Sequence, residues 1–256
     1  MEVDEIKKQL GTLSASRIET YLTCPRKFWY KYKRGWRESE TDAMRIGTRI
    51  HTEAERYYKG EIDALTNAEL IEARSRGVFP PREAAMFVER SMVNWGVRLA
   101  DIPVNGEADL IYRDDDGRVV VRDWKTRSGF GYAPDAAELA DDLQINLYAY
   151  GAGHVCPEVD RFVVEHVNLL KEEKGGPETK VVRAELTRDD IASKIEWAAA
   201  QVEEMLATFA KDDVTNVEVA SESRSGSESC FKYGPCYYLR EHGCETDEYD
   251  PDRSWT

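Results

Sequence analysis

Asp123 and Lys125 stand two residues apart in the run VVVRDWKT, and Asp109 lies upstream in GEADLIYR. In a β-strand, residues two apart face the same side, so a strand here points Asp123 and Lys125 together and Trp124 the other way. The DDDG segment between the two runs suits a hairpin turn, and in the expected register Asp109 comes close to Asp123. Two carboxylates supply hard oxygen ligands for Mg²⁺ or Mn²⁺. Such an ion activates water and offsets charge on a scissile phosphodiester. A lysine on the same face stabilises the developing negative charge. Asp-x-Lys on a strand is also common on solvated faces, so these three residues alone leave both readings open.

Other side chains bear on the same chemistry. His51 sits in RIGTRIHTEAERYY, a helical segment with apolar neighbours, and neutral imidazole is a good transition-metal ligand. A lone helical histidine is more often structural. Gln144 and Tyr148, four apart in LQINLYAY, share one face of a helix. That face is polar enough to approach a phosphate, although Tyr148 could equally pack.

The elements that must position these residues follow from the local pattern. Residues 42–59 and 81–98 read as helices by apolar spacing, and so does 61–77. From about residue 98 the period changes, and VRLADIPV, GEADLIYR and VVVRDWKT read as three strands. A helix follows at 135–151, where Leu139, Leu143 and Leu147 recur every four residues. Strands near 160–169 and 179–186 precede a long helix at 188–211. This order predicts a mixed α/β domain with an N-terminal helical elaboration. Near the start, Ser14 or Ser16 suits a helix cap and Pro25 the first turn of a second helix.

Composition sets outer limits. The 256 residues carry a formal net charge of −14, with 41% hydrophobic and 33% charged residues. No apolar run approaches the ~18–20 residues of a membrane helix. MEVDEIKKQL lacks the pattern of a signal peptide, so a cytoplasmic location and no membrane partner are expected. The acidic total argues against broad nucleic-acid contact, but the distribution is uneven. Residues 1–59 hold 13 Lys/Arg against 9 Asp/Glu, and CPRKFWYKYKRGWR at 24–37 holds six basic residues and no acid. Arg26, Lys27 and Lys31 there suit phosphate contacts. The aromatic residues among them suit either base stacking or, more often, the apolar face of a helix.

Five cysteines fall at 24, 156, 230, 236 and 244. In a reducing compartment, sparse and odd-numbered cysteines suggest metal or cluster ligation rather than a disulfide framework. Three lie within fifteen residues beyond a SESRSGSES linker. Cys156 stands apart and reads as a small buried side chain. For the other four, unrelated thiols and a shared metal site are both open, with zinc one occupant and His242 a weak substitute ligand.

LSASRIETYLTCPRKFWYKY, GTRIHTEAE, GEADLI, VVVRDWKT and QINLYAY occur in that order over residues 13–150. The set resembles the RecB-like branch of the PD-(D/E)xK nuclease superfamily. The resemblance implies a restriction-endonuclease-like α/β fold, a mixed sheet core flanked by helices, with an N-terminal helical elaboration and a C-terminal cysteine-rich tail. It divides the chain into a helical region at 1–97, a nuclease core at 98–212, and a linker and tail at 213–256 packed on the N-terminal region. It makes His51, Asp109, Asp123 and the Trp124 carbonyl ligands of Mg²⁺ or Mn²⁺. Lys125 becomes the catalytic lysine beside Asp109 and Asp123, and Gln144 and Tyr148 match a helix that contacts DNA or supports the site.

The cysteines are similar to those of the iron–sulfur subgroup, which includes CRISPR-associated RecB-like exonucleases and AddB-type nucleases. There one cysteine before the core and three after it hold a 4Fe–4S cluster, the usual four-thiolate set. On that pattern Cys24, Cys230, Cys236 and Cys244 are the ligands, in a structural role. The implied activity is metal-dependent DNA cleavage, exonucleolytic on single-stranded or frayed ends. One alternative is a DNA-end-binding subunit of a recombination or CRISPR-adaptation complex with little activity of its own. Another is a zinc-stapled nucleic-acid adaptor.

Overall fold

The computed structural model describes residues 2–33, 35–36, 38–170, 176–211 and 237–238. Helices α1 (Val3–Leu10), α2 (Ala15–Thr23) and α3 (Pro25–Phe28) come first, and α3 runs into a π-helical turn at Trp29–Lys33. Helices α4 (Asp42–Tyr58) and α5 (Ala68–Ser75) follow. Strand β1 (Ala85–Ser91) precedes the two-residue strands β2 (Arg98–Leu99) and β3 (Ile102–Pro103). Strands β4 (Glu107–Arg113) and β5 (Val119–Arg127) lead to α6 (Ala136–Asp141) and α7 (Leu143–Val155). Strands β6 (Arg161–Leu170) and β7 (Glu178–Thr187) and helix α8 (Arg188–Lys211) complete the order. No helix among the described residues is long and apolar enough to cross a membrane.

The chain forms two compact units, Met1–Ser39 with Ala200–Thr256, and Glu40–Ala199. In the first, Ser14 caps α2 by accepting the Arg17 N–H at 3.2 Å. Tyr21, Phe28 and Phe209 pack ring against ring at 5.7–5.9 Å. Tyr30 stacks on Trp36 at 4.9 Å and on Tyr238 at 5.5 Å, and the Tyr238 hydroxyl donates to the Trp36 carbonyl at 2.8 Å. Phe28, Trp29 and Tyr30 are therefore core residues rather than a stacking platform.

The second unit is built on a five-stranded sheet in the order β1-β4-β5-β6-β7. Strands β5 and β6 run parallel and every other neighbouring pair is antiparallel. A parallel pair needs a crossover, which α6 and α7 supply. This is the mixed α/β architecture expected, a mixed sheet flanked by helices. The β4–β5 turn closes where Asp114 Oδ1 accepts the N–H groups of Asp116 and Arg118 and Gly117 adopts a φ of +79°.

Four local expectations need correction. Residues 81–98 hold strand β1 between short 3₁₀ turns, not a helix, because Ala85–Ser91 pairs along β4. The helix expected over 61–77 is confined to Ala68–Ser75. VRLADIPV is not one strand but the two short strands β2 and β3. The helix expected at 135–151 is two helices broken at Asp142, whose ψ of 124° leaves the helical region. Its carboxylate then caps α7 at the Ile145 N–H.

Strand β5 divides its side chains between two environments. Trp124 joins Ile50, Ala54, Tyr57, Leu110 and Val167 in the main apolar cluster. Arg122, on the same face, is 1% exposed and pairs with Glu165, which is fully buried. Arg122 Nε donates to Glu165 Oε2 at 2.8 Å, its Nη1 to the Val78 carbonyl and its Nη2 to the Tyr112 hydroxyl. Removing Arg122 would leave the buried Glu165, among the described residues, with only the Tyr112 hydroxyl and the exposed Arg183, a large loss for a buried charge. Arg122→Met is expected to lose about 3–5 kcal/mol of stability, measured by urea unfolding. A loss under about 1 kcal/mol, the range of an exposed pair, would show that the network contributes little.

Candidate active site

Asp109 is the centre of the constellation. It is 6% exposed, and each oxygen has a donor or partner from a different element. Oδ2 accepts the Trp124 N–H of β5 at 2.7 Å, and Oδ1 lies 3.2 Å from His51 Nδ1 on α4. The β4–β5 register pairs Leu110 with Arg122, which sets Asp109 opposite Asp123. Gly106 opens this strand region, and a Cβ there would meet Tyr148 Cε1 at 3.3 Å and Met92 Sδ at 3.4 Å. The close approach of the Tyr148 ring thus favours glycine at that position.

Asp123 and Lys125 share a face of β5, with Lys125 Nζ 2.7 Å from Asp123 Oδ2. The two groups form an ion pair without hydrogen-bond alignment. Lys125 also donates to Gln144 Oε1 at 2.6 Å, and Gln144 Nε2 donates to the Tyr148 hydroxyl at 2.8 Å. The four-residue spacing on α7 is what lines up Gln144 and Tyr148. The structure thus brings these residues together as two chains on adjacent strands, His51–Asp109–Trp124 N–H and Asp123–Lys125–Gln144–Tyr148. The Trp124 ring turns away into the apolar cluster while its N–H serves Asp109.

Two residues escaped the sequence reading. Strand β1 pairs Val88 with Leu110 and Arg90 with Ala108, so Glu89 falls opposite Asp109, with a left-handed φ of +46°. His51, Glu89 and Asp109 each offer a ligand atom, and these atoms lie within 4.8 Å of one another. Reading 81–98 as a helix hid this position. The second is His166 on β6, across the parallel pair from Asp123. Its signal was the polar set Glu165, His166 and Asn168 inside the apolar run FVVEHVNLL, all of them buried.

The electrostatics fit a divalent cation. Burial raises Asp109, and Asp123 raises it further, against the opposing pull of His51 and the Trp124 N–H. Burial and then Asp109 push Glu89 up to about 8. Burial pulls His51 down, but the Asp109 hydrogen bond and the Asp123 and Glu89 charges carry it up to about 9. Burial also opposes the charge on Lys125, and Asp123 with Asp109 outweighs it, so the ammonium is held charged. The carboxylates thus crowd one another and draw in protons. His51, Glu89 and Asp109 form a donor group of two carboxylates and an imidazole, with the Asp123 carboxylate outside it on the neighbouring strand, and such hard oxygen-rich groups suit Mg²⁺ or Mn²⁺.

The remaining sequence candidates lie in the other unit. Cys24 is half-buried between α2 and α3, and its Sγ accepts the Lys27 N–H at 3.3 Å. Cys230, Cys236 and Cys244 lie outside the described residues, as does His242. Cys156 is buried in the sheet-bearing unit. Lys27 pairs with Glu38 at 3.2 Å, and the Lys31 ammonium sits 5.5 Å from the centre of the Tyr32 ring. The Arg26 side chain lies outside the described set.

A family model described as the PD-(D/E)XK nuclease superfamily matches residues 12–230. No curated protein matches the sequence. Among solved structures, a candidate exonuclease from Eubacterium rectale is similar at 11% identity, over 98% of this chain and 94% of that one, with a TM-score of 0.49. A protein named SSO0001 is similar at 15% identity, over 75% and 76% of the two chains, with a TM-score of 0.40. A phage-related exonuclease from Haemophilus somnus 129PT is similar at 13% identity, over 78% and 95%, with a TM-score of 0.33.

The raised Glu89 gives a prediction with a definite sign. The folded protein holds the Glu89 proton up to about pH 8, against an ordinary value of 4.5. Stability present below 4.5 is therefore lost as pH rises through about 8. Glu89→Gln, which never ionises, escapes this loss. In EDTA, wild-type thermal stability is expected to fall relative to Glu89→Gln between pH 5 and pH 8. Parallel pH profiles for the two proteins would refute the assignment.

Proposed function

The chain belongs to the PD-(D/E)XK nuclease superfamily, and from that membership we propose a metal-dependent DNA nuclease, acting as an exonuclease on single-stranded or frayed ends. The convergence of His51, Asp109, Asp123 and Lys125 at one partly buried site supports this reading most directly. His51, Asp109 and Asp123, with the Trp124 carbonyl, would hold Mg²⁺ or Mn²⁺, and Glu89 adds a carboxylate beside them. A bound divalent ion supplies charge neutralisation at the scissile phosphate and a lowered pKa for water.

The roles of the side chains follow from their contacts. Asp109 is oriented by the Trp124 N–H and His51 and keeps its place without substrate. Lys125 stays protonated, so it acts by stabilising negative charge on the phosphate rather than by removing a proton. Gln144 holds the ammonium on the site side of β5, and Tyr148 in turn holds Gln144. Arg26, Lys27 and Lys31 belong to the basic run 24–37 and are offered, on the sequence alone, as phosphate contacts.

A structural 4Fe–4S cluster on Cys24, Cys230, Cys236 and Cys244 is part of the same proposal. Tyr238, two residues beyond Cys236, is buried against Tyr30 and Trp36, which favours a tail that returns to the N-terminal helices. Cys24 Sγ accepts the Lys27 N–H, and thiolate is the form that would ligate iron.

The test is cleavage of end-labelled linear single- and double-stranded DNA with Mn²⁺ or Mg²⁺. Lys125→Ala is expected to lose about 10²–10³-fold in kcat, the scale of removing one charge-stabilising donor. Asp109→Ala and Asp123→Ala are expected to lose at least as much while remaining folded. Equal cleavage by wild type and Lys125→Ala would refute the assignment. Folded wild type that binds DNA ends without cutting them would move the function to end binding. Anaerobically purified protein should contain iron, and a colourless preparation with zinc alone would exclude the cluster.

A further inference from the structure

The two aspartates of the site are held very differently. Asp109 has a partner on each oxygen. Asp123 is 2% exposed, yet its Oδ2 accepts no hydrogen bond among the described residues. What faces that oxygen is the Lys125 ammonium at 2.7 Å and, farther off, His166 Nε2 at 3.8 Å. His166 is itself 2% exposed, and neither ring nitrogen has a hydrogen-bond partner among the described residues. An unpartnered imidazole inside an apolar strand run is unfavourable, and valine or leucine would fill the same place without that cost.

The sheet explains why the imidazole faces Asp123. Strands β5 and β6 are parallel and pair Asp123 directly with His166. The two side chains therefore leave neighbouring strands on the same face, about 4.8 Å apart at the backbone. At 3.8 Å the contact is longer than a hydrogen bond. Rotation of the carboxylate about its own axis, or departure of the ammonium that now draws Oδ2 away, closes the gap.

The nuclease reading creates a moment when this matters. Lys125 has three N–H donors, directed now at Gln144 and Asp123, and a move of the ammonium toward the scissile phosphate loosens its hold on Asp123 Oδ2. We propose that His166 is a positioning residue for Asp123: when Lys125 turns to the phosphate, the imidazole takes over Oδ2 by donating from Nε2, keeping the carboxylate oriented toward the metal ion. This rests on the nuclease reading and goes beyond it, because it assigns a role to a residue that touches neither substrate nor metal. Only the tautomer with its proton on Nε2 can do this, and the handover moves no proton between residues.

A binding cycle without DNA isolates the effect. Mn²⁺ affinity is read from the free-ion electron paramagnetic resonance signal. The proteins are wild type, His166→Leu, Lys125→Met, and Lys125→Met combined with His166→Leu or His166→Gln. With Lys125 present, His166→Leu is expected to change affinity little, under about threefold. In the Lys125→Met background, His166→Leu is expected to weaken binding by about tenfold or more, as for loss of a residue that orients a ligand. Glutamine places an amide nitrogen close to where Nε2 stands, so Lys125→Met with His166→Gln should bind within about threefold of Lys125→Met alone.

His166→Asn offers a control should the leucine variants fail to fold. Its amide stands where Nδ1 does, short of Asp123, so asparagine should behave as leucine and glutamine as wild type. In DNA cleavage with Lys125 intact, His166→Asn should lower kcat with KM nearly unchanged. An equal effect of His166→Leu in both backgrounds, or no rescue by glutamine, overturns the inference alone. Wild-type protein that takes up no Mn²⁺ overturns the nuclease reading and this inference with it.

Discussion

One carboxylate fixes the geometry of the candidate site. Asp109 accepts a backbone N–H from β5 and meets the His51 imidazole from α4, so a single buried side chain ties three elements together. The Trp124 N–H is a fixed donor, and a slip of the β4–β5 pairing would carry it away and turn Asp123 and Lys125 to the other face. The same carboxylate is the source of the site's electrostatic tension. Glu89 and Asp123 stand on either side of it, and burial leaves little water to screen them. Lys125 and His51 offset part of that charge, and the deficit is what makes a divalent cation a good fit.

Strand β5 shows how the sheet accommodates such a site. Alternate residues go to opposite faces, so Asp123 and Lys125 are confined to one side while Arg122 and Trp124 serve the other. The opposite face carries its own buried charge: Arg122 meets Glu165, Tyr112 and a backbone carbonyl, and Glu165 also pairs with Arg183.

Much of this was legible because it rests on short-range rules. Strand alternation gave the shared face of Asp123 and Lys125, DDDG gave the hairpin, and the four-residue spacing gave the Gln144–Tyr148 pair. What was not legible depended on pairing across the fold. Phe87, Val88 and their neighbours fit either period, and only alignment along β4 makes 85–91 a strand and brings Glu89 to Asp109. The leucine repeat across 139–147 masked the break at Asp142, where a side-chain cap competes with helix continuation. His166 gave a chemical signal, a polar residue in an apolar run, but its neighbour is set by a parallel pairing that follows a two-helix crossover. The tail cysteines fall outside the described residues, so their expected grouping rests on sequence and on the nearby burial of Tyr238.

The parallel β5–β6 pair also orders events in time. The β4–β5 hairpin closes through a tight local turn, and it already contains Asp109, Asp123 and Lys125. His51 must arrive from 58 residues away, and β6 cannot join until the intervening helices are in place. Long-range closures of this kind come late because chain entropy opposes them. Asp109, Asp123 and Lys125 are thus neighbours through a local hairpin, whereas His51 and His166 meet them from elements distant in the chain.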